Sequence, residues 1–149
     1  MDDFAGMKAM ISLSLGERDQ PISDYFCTLI KLAGFEIEIV KPGDPEESAS
    51  ERVKNCIKNN DVFISILSAK HELKNGRYMP SSWLIDEIGR AVQAEKPIGV
   101  FIEEGITDID HLVEVIKGDY LQFKRTENPI IMPDKIINYL KKLIDMSIN

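Results

Sequence analysis

Asp61 to Ser68 reads DVFISILS. From Val62 to Leu67 the only polar side chain is Ser65. A strand with one solvated face would alternate apolar and polar residues. A nearly continuous apolar run instead suits a strand covered on both faces, as in a parallel sheet between two helical layers.

The pattern on either side keeps that rhythm. Upstream, Ser48 and Glu51 form a capping-box signature, which starts a helix running to about Asn60. Lys41 to Glu47 (KPGDPEE) is a turn-rich loop, and Phe35 to Val40 (FEIEIV) is a strand. Asp19-Gln20-Pro21 opens an earlier helix, with proline in its first turn. Ile22, Tyr25, Phe26, Leu29, Ile30 and Ala33 form its buried stripe, and Gly34 ends it. Lys8 to Leu15 (KAMISLSL) is the first strand.

Downstream, Ser68 to Pro80 is a polar loop containing Asn75-Gly76, and a helix follows from about Ser82 to Ala94. Pro97 to Ile102 (PIGVFI) is the fourth strand. Thr107 and Asp110 cap a short helix through Lys117, and Tyr120 to Phe123 is a weak fifth strand. Pro133 opens a last helix with Ile136, Ile137, Leu140, Leu143 and Ile144 on its inner face. Repeated strand-helix units predict a three-layer α/β/α fold. Its five-stranded parallel sheet takes the flavodoxin-like order 2-1-3-4-5. Ligands of such sheets sit beyond the carboxyl ends of strands one and three, where the winding reverses. Residues 14–20 and 68–90 are therefore the segments to inspect.

The 149 residues fit one domain, 1–149, with a core from about 8 to 146. A net charge of −7, without a basic stripe, speaks against nucleic acid as a partner. No apolar run reaches the roughly 20 residues of a membrane span. The acidic start lacks a secretory signal, so the expected location is the cytoplasm and no membrane partner is expected. Cys27 and Cys56 fall in apolar helical patterns and read as small hydrophobes. The scattered Cys and His residues have no ligand spacing, so no metal site is expected.

Local motifs discriminate among families with this layout. The turn after strand one, Ser14-Leu15-Gly16-Glu17-Arg18, has one glycine and is not a dinucleotide-binding G-x-G-x-x-G. Strand three ends Leu67-Ser68 and lacks the phosphoacceptor Asp of a receiver domain. Arg18-Asp19 do not make the Ser/Thr-rich phosphate loop of a flavodoxin. Three stretches do match a family in order. Met10-Ile11-Ser12-Leu13-Ser14 precedes Glu17-Arg18-Asp19; DVFISILS follows; and Ser81-Ser82-Trp83-Leu84-Ile85-Asp86-Glu87-Ile88-Gly89-Arg90-Ala91 leads to Lys96-Pro97-Ile98. Over roughly residues 8–125 the chain resembles a Toll/interleukin-1 receptor (TIR) domain. It departs from that pattern at Leu13, which replaces an aromatic residue. The loop 41–47 aligns only by position with the family's assembly loop.

Trp83 and Glu87 are spaced to share one helix face. A carboxylate beside an indole is partly desolvated, which raises its pKa. The resemblance implies that Glu87 is the catalytic residue of an NAD+ glycohydrolase or cyclase, in defence or cell-death signalling. NAD+ would be its substrate, with no separate cofactor. The nicotinamide ring is already cationic and leaves without a proton, so one carboxylate suffices to stabilise an oxocarbenium-like ribose. Trp83 would wall or stack on the nucleotide, and Ser14 and Arg18 would contact ribose or phosphate. Asp86 reads as a solvated neighbour, spaced to pair with Arg90, and His71 as solvated.

Two alternatives stand beside this reading. One is a non-catalytic module that assembles with itself or with other TIR domains. The other is an enzyme like the nucleoside deoxyribosyltransferases, whose E-x-G-x-A pattern Glu87-Ile88-Gly89-Arg90-Ala91 resembles.

Overall fold

The computed structural model describes residues 4–13, 17–39, 54–55, 57–69, 71–72, 78–79, 88–89, 91–106 and 119–148. Its main sheet is built from β1 (Lys8–Ser12), β2 (Glu36–Ile39), β3 (Val62–Leu67), β6 (Ile98–Glu103) and β7 (Leu121–Phe123). The order is β2-β1-β3-β6-β7, and every pairing is parallel. This is the 2-1-3-4-5 order expected from the sequence. All six residues of β3 are buried, as the run in DVFISILS requires. Asp61 has a structural job at the start of that run: its carboxylate accepts the Lys8 N–H at 2.9 Å, and its own N–H donates to the Lys8 carbonyl at 2.8 Å. These two bonds fix the register of β3 against β1.

Side chains alternate between the faces of the sheet and feed two cores. Ile11, Ile64, Ile66 and Phe101 join α1 (Gln20–Leu32) and α2 (Pro133–Ile148) on one side. Met10, Phe63, Leu67, Val100 and Ile102 join Ile57, Ile88 and Ala91 on the other. Of the stripe predicted for α1, Ile22, Phe26, Ile30 and Ala33 are buried, while Tyr25 and Leu29 pack at its margin. In α2, Ile136, Leu140 and Ile144 are buried, with Ile137 and Leu143 beside them. Residues 54–55, 57–59, 88–89 and 91–93 are helical, where helices were expected. The cap at Ser48 and Glu51, the loop 41–47 and the helix 107–117 lie outside the described residues.

Some details differ from expectation. The first strand stops at Ser12 rather than Leu15, and Glu17–Asp19 form a 3-10 turn leading into α1. Asp19 stands at the N-cap of α1, but its side chain does not cap the helix, because it is drawn to Arg125. Residues 68–80, read as a loop, contain a short antiparallel pair, β4 (His71–Glu72) with β5 (Tyr78–Met79). Asn75-Gly76, the strongest hairpin dipeptide, falls between these strands in the sequence.

Gly34 ends α1 at φ +118°, and a Cβ there would lie 2.8 Å from the Ala5 amide nitrogen. Both backbone strain and a backbone clash therefore oppose any side chain. Gly34→Ala is expected to destabilise the fold by more than about 1 kcal/mol in urea unfolding.

Tyr139 closes a gap in the β6 ladder. Its hydroxyl accepts the Val100 N–H at 2.9 Å and donates to the Asp119 carbonyl at 2.8 Å. Burial pushes the phenol up to about 12. The native state thus holds this proton more tightly than the unfolded chain, whose tyrosine titrates near about 10. The stability linked to this proton is present below about pH 10 and is lost as pH rises through about 12. Tyr139→Phe leaves the Val100 N–H unpaired, so a loss of about 1–3 kcal/mol is expected at neutral pH. The alkaline fall in stability should also become shallower, which denaturation at several pH values would check.

Candidate functional site

The winding reverses between β1 and β3, so the edge to examine is formed by their carboxyl ends. Of the four residues nominated from sequence, only Arg18 lies among the described ones; Ser14, Trp83 and Glu87 lie outside them. Arg18 is exposed and sits in the 3-10 turn after β1. Its Nη1 donates to the carbonyl of Ala69, just past β3, at 2.8 Å. The side chain therefore bridges the two strand ends that flank the reversal point. Ile88, the residue after Glu87 in the chain, is fully buried in the core that covers Phe63 and Leu67.

A cluster that the sequence reading did not single out occupies the same edge. Glu103 ends β6, and Arg125 lies just beyond β7. The Arg125 guanidinium grips Glu103 with two hydrogen bonds, each 2.7 Å, from Nε to Oε2 and from Nη2 to Oε1. Nη2 also meets Asp19 Oδ1 at 2.8 Å, and Nη1 donates to the Arg18 carbonyl at 3.1 Å. Glu103 Oε1 in turn accepts the Ala69 N–H at 2.8 Å. The carboxylates of Asp19 and Glu103 are under a tenth exposed, and Arg125 is one-fifth exposed. Hydrogen bonding to Glu103 raises the affinity of Arg125 for its proton further, so its charge is permanent.

These bonds close a ring. Arg125 holds the Arg18 carbonyl, Arg18 holds the Ala69 carbonyl, Ala69 donates to Glu103, and Glu103 returns to Arg125. Residues from four strand ends are thereby locked together. The available signal in the sequence was positional: Glu103 and Arg125 are charged residues at the carboxyl ends of apolar strands. Asp19 was read as a helix opener.

Buried hydroxyls add to the polarity of this region. Ser12, Ser65 and Ser68 are buried on or just after β1 and β3, and their Oγ atoms have no hydrogen-bond partner among the described residues. Ser12 and Ser65 are register partners. Each unpaired buried hydroxyl costs about 1–3 kcal/mol.

Clefts lined by described residues open elsewhere. One, of about 560 Å³, lies beside β7 between Glu104, Lys124, Glu127 and Met132, and its Lys124 is ion-paired with Glu104 at 3.5 Å and Glu127 at 3.7 Å. Another, of about 490 Å³, is lined by Lys54, Ile57, Lys58, Gln93, Ala94 and Lys96, near the amino ends of β3 and β6. Neither lies at the reversal point. Among the described residues no His, Cys, Asp and Glu cluster could hold a metal ion, and no helix is long and apolar enough to cross a membrane. Burial raises the Cys27 thiol pKa, so this half-buried side chain packs as a neutral group.

No protein-family profile and no curated protein matches the chain. Solved structures do. A CMP N-glycosidase from Clostridium botulinum is similar with TM-score 0.58 at 19% identity, over 87% of this chain and 99% of that one. A flavodoxin-like domain from Synechococcus has TM-score 0.57 at 14% identity, over 91% and 94% of the two chains. The TIR domains of the activated Roq1 resistosome have TM-score 0.56 at 14% identity, over 93% and 99% of the two chains. At such identities the likeness is one of fold, and the chain has the flavodoxin-like fold that a glycosidase and TIR domains share.

Proposed function

We propose that this chain cleaves the N-glycosidic bond of a nucleotide, with NAD+ as substrate and Glu87 as the catalytic carboxylate. The observation that carries the reading is Arg18. It is an exposed guanidinium bridging the ends of β1 and β3, at the edge where this fold takes ligands. A guanidinium there suits a diphosphate. The fold shared with a CMP N-glycosidase and with TIR domains supports the same class of reaction.

In the proposed reaction the bond between ribose C1′ and the nicotinamide nitrogen breaks. Both bonding electrons go to the ring, which is cationic in NAD+ and leaves as neutral nicotinamide. Positive charge develops on the ribose, and the Glu87 carboxylate offsets it. Water adds to C1′ and releases a proton, giving ADP-ribose. Attack from within the ADP-ribose moiety gives a cyclic product instead. Trp83 walls the nucleotide, and Ser14 and Arg18 hold ribose and phosphate. Self-association is proposed as the condition for activity, and the resistosome origin of the Roq1 TIR domains supports it.

The test is chromatography of NAD+, CMP and deoxyribonucleosides after incubation with dilute and with crowded protein. Nicotinamide release from NAD+ supports the reading. Base release from CMP alone, or base exchange on deoxyribonucleosides, moves the substrate class. No cleavage of any of them in either condition leaves the assembly module as the function.

A further inference from the structure

We infer that Arg125 and Glu103 are positioning residues that hold the Arg18 guanidinium ready for a phosphate or diphosphate group at the carboxyl edge of β1 and β3. The inference rests on the nucleotide reading of this edge and names the residues that prepare it.

Burying ion pairs is a poor way to gain stability, because desolvation offsets most of the attraction. Apolar side chains would close four strand ends as well. What the ionic ring does in addition is direct a side chain. Arg125 fixes the backbone of Arg18 through the Arg18 carbonyl, and Glu103 fixes Ala69 through its N–H. Among the described residues Arg18 then spends one donor, on the Ala69 carbonyl. A guanidinium has five N–H donors in a planar fork, and this one is on an exposed side chain.

Charge points the same way. Asp19 and Glu103 are the carboxylates of the cluster, and both are bonded to Arg125. Without Arg125 they would draw the Arg18 guanidinium inward and would repel an incoming phosphate. Arg125 therefore keeps the acids occupied and leaves Arg18 directed to the edge. Removing Arg125 should act on anion binding through Arg18, and the two effects should not add.

The experiment measures binding of ADP-ribose and of inorganic pyrophosphate by calorimetry, with KM and kcat for NAD+ and melting temperature alongside. The proteins are wild type, Arg18→Ala, Arg125→Met and the double variant. Arg18→Ala and Arg125→Met are each expected to weaken both anions by about ten- to a hundredfold, the loss of one charge-assisted interaction. The double variant should bind within about twofold of Arg18→Ala, the sign of a shared interaction. KM should rise in each variant while kcat moves little, a split that a general loss of structure does not produce. Unchanged anion binding in Arg125→Met overturns the inference, and so does an equal further loss when that change is made in the Arg18→Ala background. Should Arg125→Met melt below the assay temperature, Arg125→Lys is used. It keeps the charge but not the fork, and an intermediate loss confined to the Arg18 background is expected; equal losses in both backgrounds overturn the inference. Wild type that binds both anions through Arg18 and Arg125 yet cleaves no NAD+ leaves this inference standing and removes the glycosidase reading. Wild type that binds neither anion removes the inference whatever NAD+ does.

Discussion

Glu87→Gln is expected to slow nicotinamide release by about 10²- to 10³-fold, the usual loss when an electrostatic stabiliser of the transition state is removed. The substitution keeps the shape of the side chain, removes its charge and turns one acceptor oxygen into a donating amide. Binding of ADP-ribose, which carries no developing positive charge, should stay within a few-fold of wild type. The loss then falls on kcat rather than KM, as expected for an interaction made only in the transition state. Melting temperature serves as the control for folding. Undiminished release by the Gln variant removes Glu87 from the chemistry, and the carboxylate of another residue would have to be sought at the same edge.

Phe26→Ala is the substitution with the largest expected effect on stability. Phe26 is fully buried in α1, its ring centroid 4.8 Å from that of Phe101 in β6 and 5.4 Å from that of Phe123 in β7. One side chain thus joins a helix to two strands. Truncation removes the transfer free energy of the ring and leaves a cavity among side chains that cannot collapse freely, a cost of about 3–5 kcal/mol. The tilted contact with Phe101 and the edge-on contact with Phe123 add to the loss. Urea unfolding would measure it, and a loss below about 1.5 kcal/mol, the range of well-tolerated core swaps, would contradict this packing.

The middle of the sheet was legible in the sequence because β3 and β6 are buried on both faces, so VFISIL and IGVFIE stand out as apolar runs. Helix phases were legible for the opposite reason: one-sided burial writes a stripe, and Ile22, Phe26 and Ile30 follow it. The end of β1 was less legible, since Leu13 is buried beyond the last ladder residue and hydropathy does not mark where pairing stops. The Arg125 cluster was not legible. Asp19 and Arg125 are 106 residues apart, and nothing local distinguishes a charged residue that meets a partner across the fold from one that meets water. Asp19 shows how a local rule misleads: it sits where a helix-capping Asp belongs, yet the stronger pull of a guanidinium takes its side chain. Arg18 was chosen for its place at the end of the first strand and for the phosphate-binding fork of its guanidinium, and its tie to Ala69 came only with the folded chain.

β1 lies between β2 and β3, and the bond that sets its far side joins residues 53 apart, Lys8 and Asp61. During synthesis the first strand therefore pairs on one side only until the segment that follows Asp61 has left the ribosome. A chain cut before that point would hold an apolar ribbon with an open edge, the arrangement most prone to join other chains. Shortened forms meant to yield usable material should thus extend past β3, however small the part of interest.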